Sequence, residues 1–219
     1  FSANLSHRTS QTTQFEAALY YRPMSRRTFN GDDTVYGACE APAFAGRLCE
    51  DEGEGGLVFD KSGRVIPVAG RTFDATNNTS LTATHGWGGT LQGVFSRPLA
   101  GRANQLVVGG SFDGARARYE ADTEIASLSD TRGTVGSGFL DAEAAVRLRT
   151  NVRHVGAFVS DFLTVGTRLT LMGAARVNRS DIILRDQLGD DLNGDHSFSR
   201  INPSAGATFA AARGVTLYG

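Results

Sequence analysis

The sequence predicts an all-β fold, an antiparallel transmembrane β-barrel section of about seven to eight strands. Three observations predict it: apolar and polar residues alternate along several segments, these segments are long, and short and long connections follow one another in turn. A period of two is typical of strands with one apolar and one polar face. In membrane barrels, short turns collect at one end of the wall and long loops at the other.

The composition excludes some classes and leaves others open. The chain has 219 residues, 40% of them hydrophobic, and it contains no apolar run of about 18 residues, so no transmembrane helix is predicted. A spanning strand needs only about 9 to 11 residues, so a barrel has ordinary overall polarity. The net charge of −1 gives no reason to expect nucleic acid as a partner. Lys61 is the only lysine among 22 basic residues, which either codon usage or guanidinium contacts with anions would explain.

Alternation defines the strands in chain order. It is present along residues 14–21, 81–95, 106–113, 146–158 and 169–178. The clearest case is 146–158, where an apolar face carrying Val146, Leu148, Val152 and Phe158 opposes a polar row. A helix would scatter that polar row around its axis, so we reject a helical interpretation. Several strands run for about 15 to 20 residues, whereas strands of globular proteins usually have about 5 or 6.

The connections between these strands alternate in length. Those at 8–12, 97–104, 163–167 and 212–214 are short. Long loops are predicted at about 30–78, 123–141 and 187–200. Because periplasmic turns of membrane barrels are short and extracellular loops are long, we expect the three long loops to face the outside of the cell.

The two cysteines, Cys39 and Cys49, lie in the first long loop, in a segment rich in glycine and acidic residues. A disulfide between them would close a loop of about 11 residues and remove about 2.7 kcal/mol of unfolded-state entropy. Such a bond persists in an oxidising location, as an outside-facing loop provides. Two free buried thiols are the alternative.

Several stretches resemble a known family when they are taken in order. They are residues 76–80 (Thr-Asn-Asn-Thr-Ser), 86–89 (Gly-Trp-Gly-Gly), 101–104 (Gly-Arg-Ala-Asn), 106–113, 159–163, 169–176, 192–196 (Leu-Asn-Gly-Asp-His), 200–206 (Arg-Ile-Asn-Pro-Ser-Ala-Gly) and 215–219. With this order and spacing, the chain resembles the barrel of TonB-dependent outer-membrane receptors. The resemblance spans nearly the whole chain and is strongest from residue 76 onward.

The resemblance implies a 22-stranded barrel around a plug domain, in the outer membrane of a Gram-negative bacterium. Residues 1–219 would then be a partial barrel domain, with the plug domain and the barrel ends missing. The family imports scarce nutrients such as siderophore–iron complexes or cobalamin. The implied partners are the TonB energising complex acting through the plug, a small-molecule or metal-chelate ligand, membrane lipid and lipopolysaccharide. No enzymatic activity and no cofactor are implied.

Candidate site residues come from the strands and from one loop. A polar lumen wall that contacts substrate or plug is predicted from Arg147, Arg149, Asn151, Arg153, Arg176 and Asn178. The alternative is that these side chains only fill a polar barrel interior. Asp191, Asn193 and Asp195 resemble a fragment of a calcium loop, but the glutamate that closes such a loop is absent, and a polar turn explains them equally. No catalytic constellation is found.

Two rival interpretations stay open at this stage. The first is a small closed barrel of eight strands, structural or adhesive, in which residues 1–8 would pair with 215–219. The second is a soluble all-β binding module. Both ends of the chain lie in predicted strands, which favours a section of a larger wall.

Overall fold

The computed structural model describes all 219 residues. Nearly all of the chain is strand, with 72% of residues in strands and 3% in helix, which confirms the all-β prediction. The strands are β1 (Ser2–Ser10), β2 (Thr13–Asp33), β3 (Gly37–Ala38), β4 (Leu48–Cys49), β5 (Ala75–Phe95), β6 (Asn104–Leu128), β7 (Thr134–Leu140), β8 (Val146–Val165), β9 (Leu169–Asp186), β10 (Gly194–Ala212) and β11 (Val215–Tyr218). The chain also contains two short 3-10 helices, Pro42–Phe44 and Asp51–Gly53.

One antiparallel sheet holds the long strands in the order β1-β2-β5-β6-β8-β9-β10-β11, which we call the wall. The strand β7 pairs with the end of β6, and β3 pairs with β4 in a separate small sheet. β1 and β11 lie at opposite edges of the wall. The pairing of residues 1–8 with 215–219 does not occur, so the prediction of a small closed barrel is wrong.

The register is continuous between the six central strands β2, β5, β6, β8, β9 and β10. For example, Leu91 lies opposite Ala17 on one side and opposite Gly110 on the other. Because side chains of a strand alternate between the two faces, an unbroken register keeps every second residue on the same face of the whole wall. The face of each side chain can therefore be followed from strand to strand.

The connections differ in length at the two ends of the wall. At one end lie the short turns at 11–12, 96–103, 166–168 and 213–214, and Gly166 and Gly214 have the positive φ that a tight turn requires. At the other end lie 34–74, 129–133 with 141–145 around β7, and 187–193.

The strands extend further into the long connections than the alternation pattern predicted. β2 continues to Asp33, β6 to Leu128, and β10 already begins at Gly194. Many of the added residues are polar, but their side chains bond across the ladder: Thr123 Oγ1 donates to Asn78 Oδ1 at 2.8 Å. A polar stretch therefore continues as strand where its neighbour supplies such partners.

Residues 34–74 fold into a small cap on the end of β5, β6 and β7. Only 17 of 219 residues are buried, and the one apolar cluster lies here. It consists of Leu48, Val58, Ile66, Phe73 and Ile125, and only Ile125 comes from the wall. None of the helical segments has the length and hydropathy required to span a membrane.

Candidate functional site

One face of the wall carries an apolar belt. A single row of directly opposed residues crosses seven strands on this face: Leu5, Ala17, Leu91, Gly110, Ala157, Val177 and Ile201. The large members of the row are strongly exposed, for instance Leu91 by 61% and Ile201 by 71%. A contiguous exposed apolar surface of this extent indicates an apolar environment or partner. We call this side the belt face.

The height of the belt matches that of a membrane barrel. On β9 the residues of the belt face are apolar from Leu169 to Val177, and the next residue on that face is Arg179. At about 3.3 Å per residue this stretch is about 26 Å long. The apolar band of outer-membrane barrels is about 25 Å tall.

Aromatic residues lie at both margins of the belt. At the short-turn end, the rings of Phe15 and Phe95 contact edge to face with their centroids 6.2 Å apart. At the other margin Tyr21 lies directly opposite Trp87. Trp87 in turn lies opposite Gly114, where a Cβ atom would come within 2.7 Å of the indole ring. Gly114 therefore leaves the space that the indole ring occupies. Aromatic residues at both margins of an apolar band are typical of the aromatic girdles of outer-membrane barrels.

The opposite face, which we call the polar face, carries small and polar residues at the same height. The row next to the apolar one contains Asn4, Ala18, Thr90, Ser111, Gly156, Asn178 and Arg200. Arg176 donates through Nη2 to Ser111 Oγ at 3.1 Å and through Nε to Asn178 Oδ1 at 2.6 Å. This guanidinium reaches across β8, and Gly156 of β8 leaves the space: a Cβ atom there would lie 2.7 Å from Asn178 Oδ1.

A second polar link crosses the same face nearer to its edge. Tyr20 donates its hydroxyl proton to Asp113 Oδ1 at 2.7 Å, between β2 and β6 and across β5. A Cβ atom at Gly88, between them, would lie 2.6 Å from that carboxylate oxygen. Side chains on the polar face thus hydrogen-bond across an intervening strand at glycine positions, where no Cβ atom stands in the way.

The six residues predicted to form one lumen wall lie on two different faces. Arg176 and Asn178 share the polar face, opposite Phe158 and Gly156. The four residues of β8, namely Arg147, Arg149, Asn151 and Arg153, are on the belt face, in line with Val155, Ala157 and Val159. The prediction that all six form one wall is therefore wrong. Alternation shows which residues share a face of a strand. Because β8 extends beyond the belt, one of its faces is apolar along the belt and charged above it. The sequence pattern does not show this change, so it groups the β8 arginines with the polar face.

Those β8 residues belong to a charged band between the belt and the cap. Arg147 donates through Nη2 to both carboxylate oxygens of Asp122, each at 2.8 Å. Lys61 of the cap approaches the same carboxylate at 2.5 Å. The aspartate therefore holds the cap against the wall.

The cap itself is ordered by one covalent and several polar contacts. Cys39 and Cys49 form a disulfide with their Cα atoms 5.0 Å apart, which confirms the predicted bond. Tyr36 donates its hydroxyl proton to Asp141 Oδ2 at 2.5 Å. Burial, and then the hydrogen bond to Asp141, raise the pKa of the Tyr36 hydroxyl, so this group stays a donor. No pattern in the sequence indicates the Tyr36–Asp141 pair, because 105 positions separate the two residues.

Backbone donors fix a second carboxylate of the cap. The amide groups of Ser62 and Arg64 donate to Asp60 Oδ1 at 2.8 and 3.0 Å. The bond from the Arg64 amide is the main reason why the pKa of Asp60 is lowered. Asp60 also forms a backbone bridge with Asp141, which ties the turn at 60–64 to the segment after β7.

The predicted calcium residues take part in a hydrogen-bonded turn. Asn193 Nδ2 donates to Asp190 Oδ1 at 2.8 Å, and its Oδ1 accepts the amide of Asp186 at 2.8 Å. Asp195 pairs with Arg185 at 2.9 Å, and Asp191 makes no side-chain hydrogen bond. No group of three or more His, Cys, Asp or Glu residues is arranged to hold a metal ion. The arrangement supports the polar turn.

The chain is similar to known proteins along almost its whole length. A family model described as TonB dependent receptor-like, beta-barrel matches residues 1–219. Among solved structures, the chain is similar to one in the structure of the FpvAI–pyocin S2 complex, at 18% identity and a TM-score of 0.55. The match covers 96% of this chain and 25% of that one, so the chain spans about a quarter of that relative. No curated protein sequence matches. At this identity the likeness concerns the fold alone.

Proposed function

We propose, because this chain belongs to the TonB-dependent receptor β-barrel family, that it forms part of the wall of a transporter importing a scarce nutrient. Members of the family lie in the outer membrane of Gram-negative bacteria and are receptors and transporters, not a class of enzymes. The nutrient class we propose is a metal chelate such as a siderophore–iron complex, or cobalamin.

One observation carries the proposal: two adjacent cross-sheet rows have opposite chemistry. The row through Leu91 and Val177 is apolar, and the row through Thr90 and Asn178 is polar or small. Such a wall separates lipid from a wet interior. The belt face is then the lipid side, and the polar face lines the lumen. A soluble binding module would have no use for an exposed apolar band of bilayer height.

The asymmetry of the connections gives the orientation. The short turns face the periplasm, and the cap with the connections 129–145 and 187–193 faces outwards. The disulfide between Cys39 and Cys49 fits an outward location, where thiols are oxidised. Ligand would be captured at the cap end and would pass along the polar face.

Within the lumen, Arg176 and Asn178 are the residues that we propose for contact with ligand or plug. The Arg176 guanidinium is exposed, and only two of its donors are used by Asn178 and Ser111. Its remaining donors suit a carboxylate or another anionic group. Import would be energised by the TonB complex acting through a plug domain.

Site-directed fluorescence tests which face meets lipid. A fluorophore is attached at Leu171→Cys or at Met172→Cys, which are neighbours on opposite faces of β9. In bilayers that contain lipid-borne quencher, we expect strong quenching at position 171 and weak quenching at 172. Equal quenching at both positions would contradict the two-faced wall.

Uptake tests the transport itself. Cells carrying the receptor, expressed from its complete gene, are given labelled ferric siderophores and cobalamin, with and without a working TonB protein. We expect accumulation of one ligand that requires TonB. Accumulation equal to that of cells without the receptor, across all ligands, would count against transport.

A further inference from the structure

Two separate hydrogen bonds lie in one cross-strand row of the polar face. Tyr20 donates its hydroxyl proton to Asp113 Oδ1 at 2.7 Å, over Gly88 of β5. On the next two strands, the Nδ1 atom of His154 and the hydroxyl oxygen of Ser180 are 2.6 Å apart. Asp113 lies directly opposite His154, and His154 lies directly opposite Ser180. The row therefore extends across β2, β5, β6, β8 and β9.

The row has one gap, between Asp113 and His154. These two residues make no ion pair, although both line the same small cavity of about 210 Å³, together with Tyr20. The bond from Tyr20 is the only hydrogen bond that the Asp113 side chain accepts, and the bond with Ser180 is the only one of the His154 ring. Directly opposed residues have their Cβ atoms about 4.5–5.5 Å apart, so rotation of the two side chains can close the gap.

Asp113 is the one acidic group near His154 on this face. The other charged or titratable side chains that neighbouring strands place on the polar face around it are Tyr20 and Arg22 of β2, Arg176 of β9, and His196 and Arg200 of β10. The three arginines disfavour a positive charge on the imidazole, and Asp113 favours it. The arginines are exposed to water and none of them lies directly opposite His154, whereas Asp113 does. Because screening by water weakens the arginines more, the effect of Asp113 is the larger one.

We infer that His154 is a proton-dependent switch that joins the two hydrogen bonds into one chain. When the imidazole takes up a proton from water, both of its ring nitrogens are donors, so one donates to Ser180 and the other to Asp113. Hydrogen bonds between charged partners are about twice as strong as those between neutral groups. The free oxygen of Asp113 can accept from His154 while the other oxygen keeps its bond from Tyr20. Five strands of the wall are then linked on the polar face.

The direction of the pH effect follows from the protonated form. The bond between His154 and Asp113 exists only when the imidazole is charged, and histidine side chains change their charge between about pH 5 and 8. The wall therefore gains stability as the pH falls through this range and loses it as the pH rises. His154 is exposed, so solvent protons reach it. The switch requires only that the polar face is wet, and it does not depend on transport of a nutrient.

Hydrogen exchange tests the switch in the receptor expressed from its complete gene and purified in detergent with EDTA. Amide protection, corrected for the intrinsic exchange rate, is compared at about pH 5.5 and about pH 7.5. We expect residues 106–117 and 146–158 of the wild type to be about tenfold better protected at the lower pH. Asp113→Asn and His154→Gln should each abolish this difference, and the double variant should lose no more than either single variant. His154→Lys, which carries its charge at both pH values, should be equally protected at both.

Two further variants serve as controls. The His85 ring is also bonded to a hydroxyl, that of Tyr21 at 2.6 Å, but it lies on the belt face, opposite Pro23 and Arg116, and has no carboxylate beside it. His85→Gln should therefore keep the tenfold difference. Tyr20→Phe removes the neighbouring hydrogen bond but leaves Asp113 opposite His154, so it should keep the difference too.

Three outcomes would overturn the switch. A pH difference that persists in His154→Gln or in Asp113→Asn would show that another group titrates. Loss of the difference in His85→Gln would show that the effect is not specific to the row. A wild type that shows no pH difference in EDTA but gains protection when Zn²⁺ is added would assign the row to a metal ion instead. Uptake, measured in the same variants, separates this result from transport: a pH response without import of any ligand would defeat only the transport proposal.

Discussion

The cap and the wall belong to one chain but are stabilised by different means. The cap buries an apolar cluster around Ile66 and closes a loop with a disulfide, as a small secreted domain does. The wall buries almost nothing, and its strands hold together through ladders: 113 of the 144 backbone hydrogen bonds lie within regular elements. The cap is therefore stabilised by a buried core, whereas the wall is stabilised mainly by hydrogen bonds between its strands.

Removing a buried side chain from the cap should have the largest effect. Ile66 is 1% exposed, and Ile66→Ala leaves a cavity in the cluster, so we expect the cap to lose about 3 to 4 kcal/mol of unfolding free energy. Hydrogen exchange of the amides in 34–74 measures this loss. Val35→Ala is the control, because Val35 is 57% exposed, and it should change little. Equal protection in both variants would mean that the cluster does not hold the cap.

A charge placed on the belt face should destabilise the wall but not the cap. With the belt face towards lipid, as proposed, Val108→Arg should cost about 2 to 4 kcal/mol of folding free energy in bilayers. Val107→Arg, one residue away, points to the polar face and should cost far less. Folding titrations in lipid vesicles compare the two variants. If both variants lose the same stability, the faces have been assigned wrongly.

Opening the disulfide should affect only the cap. In Cys39→Ser with Cys49→Ser, the cap loses the loop-closure term, about 2.7 kcal/mol for a loop of this length. Reduction of the wild type should produce the same loss of hydrogen-exchange protection, and protection of the wall strands should not change. Loss of protection in β9 would show that the wall depends on the cap.

The smallest effect is expected at the Tyr36–Asp141 contact. Tyr36→Phe removes the donor to a buried carboxylate and should cost about 1 to 3 kcal/mol of cap stability. Because the pKa of Tyr36 is raised in the folded cap, its contribution is complete below the ordinary tyrosine value near 10. It is lost as the pH rises above that value. Cap stability of the variant should therefore fall less between about pH 9 and 12 than that of the wild type. Parallel slopes would argue against the hydrogen bond.

Much of the wall could be predicted from the sequence, because alternation and connection length report directly on faces and ends. The pattern does not show that the face of Arg149 and Arg153 continues into the apolar belt, so it predicts these two residues on the same face as Arg176. It also could not show that 123–128 continues β6 or that 134–140 forms β7, since these segments become strands only through pairing with β5 and with each other. The contact of Ile125 of the wall with the apolar cluster of the cap joins residues too distant in sequence for any local pattern.

The unbroken register has a consequence for how this chain can change in length. One residue inserted within β8 would turn every side chain between the insertion and the next turn, so that Val159 would move to the polar face and Phe158 to the belt face. Two residues would preserve the faces and shift only their height. Length changes in the six central strands are therefore tolerated in even numbers, whereas the connections at 34–74 and 187–193 can accept any number.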